Sequence, residues 1–60
     1  MTQIIYGYND AIKVINNPKI KSTVKTIGEM ILSQYNTAGG STIMKEELHN
    51  FVENNKKLLS

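Results

Sequence analysis

Apolar residues recur along this chain at helical spacing, and two breaks divide the recurrence into three parts. The breaks are Asn16-Asn17-Pro18 and Gly39-Gly40-Ser41-Thr42. Between them Ile20, Val24, Ile27, Ile31 and Tyr35 follow one another at steps of three or four residues. That is one face of a helix held over several turns. Asn17 suits its N-cap and Pro18 its first turn. Met30 and Leu32 flank the stripe and widen it. Gly28 falls mid-helix, where it weakens the helix, so a neighbouring helix is expected to approach closely there.

The third part is equally periodic. Met44, Leu48, Phe51 and Val52 form its stripe, which Leu58 and Leu59 extend. Ser41 or Thr42 can cap its start, and Lys56 and Lys57 suit its C-terminal end. The first part carries two readings. Met1, Ile4, Ile5, Tyr8, Ala11, Ile12 and Ile15 share one helical stripe, with Thr2 as a cap. Residues 2–8 also read as a short strand rich in Ile and Tyr, with Asn9 capping a shorter helix behind it. The unbroken stripe favours helix, although Gly7 costs about 1 kcal/mol inside it. The pattern therefore predicts an all-α, three-helix bundle with helices near 3–16, 18–36 and 42–58, the strand at 2–8 being the alternative.

Sixty residues make one domain. A chain of this size buries only about 60% of the surface its unfolded form exposes. Disulfides cannot supplement that core, because there is no cysteine. Self-association or a larger partner is the expectation on size alone. The N-terminus lacks the basic start and long apolar centre of a signal peptide, and no apolar run is long enough to span a membrane. A cytoplasmic location is expected. Lys, Asn and Ile supply 22 of the 60 residues and arginine none. These are the residues of A/T-rich codons, which points to a low-G+C bacterial or phage genome.

The net charge of +2 is unevenly spread. Lys13, Lys19, Lys21 and Lys25 cluster in the first half, whereas three of the four glutamates lie on the third helix. The lysine cluster could neutralise a few phosphates. Three short helices suit a helix-turn-helix, and a strand at 2–8 would suit a ribbon-helix-helix dimer. Against both, the chain has no arginine, the residue of the commonest specific base contact. Glu46, Glu47 and Glu53 on the candidate final helix would repel phosphates.

Candidate chemistry is sparse. Glu46 and Glu47 are neighbours, so a helix points them about 100° apart rather than at each other. No serine has an evident base, and Gly39-Gly40 lacks the Lys-Ser/Thr of a phosphate loop. His49 is the only histidine and reads as a solvated residue beside the apolar stripe. With Asn36 counted as the first of twelve positions, Ile43 falls at the eighth and Glu47 at the twelfth. In this spacing the segment resembles an EF-hand loop, which would imply calcium binding. Calcium needs about six to eight oxygens. Ala38, Gly40 and Met44 stand at three ligand positions, and Ser41 replaces the required glycine. Asn36 and Glu47 are the only ligating side chains left. The capped bend between two helices is the favoured reading, with no metal and no cofactor.

These observations lead to a small non-enzymatic regulator or inhibitor, phage-encoded in its most concrete form, that docks an apolar helical surface on another protein. Its candidate contacts are Tyr6, Met30, Leu32, Met44, Phe51, Leu58 and Leu59. Tyr6 belongs with them because Tyr8 and Tyr35 lie on the stripes and it does not. The alternative is a small DNA-binding transcriptional regulator that uses Lys13, Lys19, Lys21 and Lys25.

Overall fold

Three helices pack against one another in the computed structural model, which describes residues 3–59. They are α1 (Tyr8–Ile15), α2 (Ser22–Thr37) and α3 (Thr42–Asn54). A 3-10 turn at Lys56–Leu59 follows and packs on α1. The all-α three-helix bundle is the architecture the hydrophobic pattern predicts. No strand occurs among the described residues. Met1 and Thr2, assigned above to the first stripe and its cap, lie outside them.

The first helix is shorter than its stripe. It starts at Tyr8 because Gly7 stands before it in extended backbone (φ −116°, ψ −171°). The Asp10 carboxylate accepts the Gly7 N–H at 3.0 Å, which satisfies a donor that the helix start leaves free. Glycine has no side chain to return the favour, so only this half of a capping box exists. Residues 3–7 are neither helix nor strand. Their backbone reaches α3 at Ile5 and Tyr6, through a contact described below.

The second helix also starts later than predicted. Asn17 caps a turn instead of a helix. Its carbonyl accepts from Ile20 N–H at 3.0 Å and its side-chain oxygen from Lys19 N–H at 2.8 Å. Pro18 takes the second position of this turn, where its fixed φ is equally at home. Lys21 is extended, and α2 begins at Ser22. Its far end matches the predicted glycine bend. Gly40 N–H reaches back to Tyr35 O at 3.0 Å and Gly39 N–H to Asn36 O at 3.2 Å, the paired bonds of a Schellman motif. Both glycines have positive φ, 66° and 73°. Ser41 then caps α3, its hydroxyl accepting from Met44 N–H at 3.4 Å. The third helix ends at Asn54, and the predicted continuation to residue 58 tightens into the 3-10 turn.

Ala11, Val14, Ile15, Leu32, Leu48, Phe51 and Val52 form the core. Leu48, Val14 and Val52 are fully buried, and burial of each contributes about 1.5–3 kcal/mol. Val14 was not on the predicted stripe. Starting α1 at Tyr8 leaves it only two turns, and Ala11, Val14 and Ile15 are the residues these turns face inward. On α2 the face is rotated toward Gly28 and Leu32. Ile27 consequently sits at the stripe's edge, 52% exposed. The close approach expected at Gly28 is present, with Phe51 and Ile15 packed onto its bare backbone.

Candidate functional site

Burial divides the seven candidate contact residues. Leu32, Met44 and Phe51 are buried and belong to the folded interior, so they offer nothing to a partner. The correction has a simple cause: stripe residues looked surplus to a small bundle, but the bundle uses them. Tyr6, Leu58 and Leu59 are half-buried and pack against the core. Met30 alone among the seven is exposed, at 56%. Ile27 lies three residues before it and Val24 three before that. Each such step turns about 60° around the helix, so this run leads from the core edge to the solvent face. Ile4, Ile5 and Ile43 are further exposed aliphatics that the interface reading did not include.

His49 is not the solvated side chain expected. It is 4% exposed, and its Nδ1 accepts two backbone N–H groups, from Ile5 at 3.1 Å and from Tyr6 at 3.3 Å. A nitrogen that accepts twice carries no proton, so the neutral ring is the Nε2–H tautomer. The Tyr6 ring stacks on the imidazole with centroids 5.4 Å apart and planes inclined by 23°. Nε2 faces Glu53, one turn on, at 3.9 Å. His49 thus fastens the segment that precedes α1 to α3, and Tyr6 is part of that fastening.

The lysines regroup. Lys19 and Lys21, from the turn before α2, line an open pocket of about 290 Å³ together with Lys57 from the C-terminal 3-10 turn. Ile20, Val24 and Leu58 supply the apolar part of its wall. Asn54 and Asn55 complete it, and Asn55 is already engaged, its amide donating to Phe51 O at 2.8 Å. Lys13 and Lys25 do not line this pocket. Asn17 positions one side of it, because its Nδ2 donates to Leu58 O at 2.7 Å while its oxygen holds the Lys19 backbone. The sequence separation between Lys57 and Lys19 hid this grouping.

The calcium-loop spacing dissolves for a geometric reason. Asn36, its first position, lies inside α2 and donates to the Tyr8 hydroxyl at 3.1 Å. Only residues 38–41 separate the two helices. Among the described residues no group of three or more His, Cys, Asp or Glu side chains is placed to hold a metal ion. Nor is any helix among them long and apolar enough to cross a membrane. No protein-family model, curated protein or solved structure matches the chain.

Proposed function

We propose that the chain is a non-catalytic binding module that docks on another protein through the outer side of α2. The observation that supports this reading is the run Val24, Ile27, Met30, whose last two members are more than half exposed. A stable interface takes about 800 Å² from each partner. Against a total surface of 4285 Å² that is roughly a fifth of the molecule, enough to include this run and its surroundings. A regulator or inhibitor that occludes its partner's surface is the concrete form of the proposal, and a second copy of the chain is one partner it allows.

The test is capture from a host lysate with tagged wild-type chain and with an Ile27→Lys/Met30→Lys variant, both after nuclease treatment. Both substitutions lie on an exposed side, so circular dichroism should show the fold intact. A protein retained by the wild type and lost by the variant supports the reading. Nucleic acid as the main captured species, released by raised salt, would replace it with the DNA-binding alternative. Light scattering on the eluted chain separates a second copy from a different partner.

A further inference from the structure

We infer that the Lys19–Lys21–Lys57 pocket is a subsite for an acidic peptide segment carrying a large apolar side chain. This rests on the protein-docking reading and names the chemistry of the partner. Among the described residues the three lysines are the only ionisable ones of the lining, so the described lining is positive. Behind them Ile20, Val24 and Leu58 present an apolar wall. Carboxylates at the rim and an aliphatic or aromatic group against the wall would satisfy both parts. The volume of about 290 Å³ lies at the low end of ligand clefts, which suits a side chain better than a large cofactor.

Nucleic acid fits this site less well. A phosphate track needs no apolar wall, and sequence-tolerant single-strand binding uses aromatic platforms on which bases stack. The lining holds no aromatic residue and no arginine. Position also favours a peptide. Val24 belongs both to the pocket wall and to the run that continues through Ile27 to Met30. One extended segment could therefore place its acidic end in the pocket and its apolar residues along α2. Charge at the pocket would speed encounter and fix the direction of the segment.

The experiment is selection of a displayed random peptide library against the full chain, followed by fluorescence anisotropy on the winning peptides. The expected consensus has at least two acidic residues beside a large apolar one. Affinity should fall about tenfold in a Lys19→Glu/Lys57→Glu variant, and also at raised salt. Three results would overturn the inference: winners without acidic enrichment, no winners at all, or binding untouched by the lysine reversals. Binding of a random-sequence oligonucleotide through the same lysines, with no acidic peptide selected, would reassign the pocket to phosphates. The Ile27→Lys/Met30→Lys variant separates the two proposals. Loss only in the lysine variant keeps the pocket and removes the α2 run, whereas loss only in the α2 variant does the reverse.

Discussion

The Phe51 ring occupies the space that a β-carbon on Gly28 would need. An ideal Cβ at Gly28 would lie 2.5 Å from Phe51 Cζ and 2.6 Å from Ile15 Cγ2. These two side chains come from different helices, so relief would take a shift on both α1 and α3. Gly28→Ala should gain about 1 kcal/mol of helix propensity. Forcing extra volume into a packed core costs about 1–3 kcal/mol. Two sub-contact distances put the cost at the upper end, so a net loss of roughly 1–2 kcal/mol is expected by chemical denaturation. Phe51→Leu in the Gly28→Ala background should recover part of it. An alanine variant as stable as the wild type would show that the α2–α3 approach is looser than described.

His49 makes a second prediction. His49→Leu fills similar space but removes the acceptor shared by Ile5 and Tyr6. Leaving partly buried N–H groups without an acceptor costs about 1–3 kcal/mol. The loss should be local. Amide exchange at Ile5 and Tyr6 should become fast, while the Val14 and Leu48 amides keep their protection. Nitrogen chemical shifts of the neutral ring should report Nε2–H in the wild type. An Nδ1–H tautomer would be incompatible with the two accepted bonds.

Those two sites also show what was legible in the residues alone. Met44, Leu48, Phe51 and Val52 stand at helical spacing within one segment, so their shared face followed directly. Gly39, Gly40 and Ser41 carry the chemistry of a helix end and a helix start, and the bend formed there. The start of α1 was hidden because Ile4 and Ile5 continue its stripe by chance while the chain is already extended at Gly7. Periodicity alone does not separate these cases over so short a stretch. The role of His49 depends on residues 44 and 43 positions away, which no local pattern encodes. The grouping of Lys57 with Lys19 likewise exists only once the C-terminal turn has packed on α1.

Asn17 tests that packing. Its amide nitrogen holds Leu58 O at 2.7 Å and its oxygen holds the Lys19 N–H at 2.8 Å. Asn17→Asp keeps the acceptor but turns the donor into an oxygen facing a carbonyl. The 3-10 turn at Lys56–Leu59 should then detach while the three helices remain. Spectroscopically, helicity should change little, and proteolysis should begin after Lys56 or Lys57. The pocket loses its Leu58 wall in the same step, so peptides selected on the wild type should bind this variant more weakly. Asn17→Ala should show both defects, because it also frees the Lys19 turn. Unchanged proteolysis in both variants would mean that Leu58 packing alone holds the turn.

Gly39 offers the sharpest test of the bend. Its φ of 66° is a left-handed value, and nothing lies within 4 Å of where its Cβ would stand. Backbone conformation and space can therefore be tested separately. L-alanine at this position meets no neighbour but must adopt the left-handed region, at a cost of about 1–2 kcal/mol. D-alanine, whose methyl takes the place of the other α-hydrogen, prefers that region. A chain of 60 residues is short enough to assemble by chemical synthesis. Replacing Gly39 with D-alanine should stabilise by about 0.4–1 kcal/mol, because it restricts the unfolded chain without straining the folded one. Gly40 behaves differently. Its φ of 73° is also left-handed, but a Cβ there would approach the Tyr35 hydroxyl at 3.3 Å. Gly40→Ala should thus cost more than Gly39→Ala. In thermal melts the chain with D-alanine in place of Gly39 should be the most stable, followed by the wild type, then Gly39→Ala, then Gly40→Ala. If the D and L forms at the first glycine were equally stable, the Schellman geometry would not govern this bend.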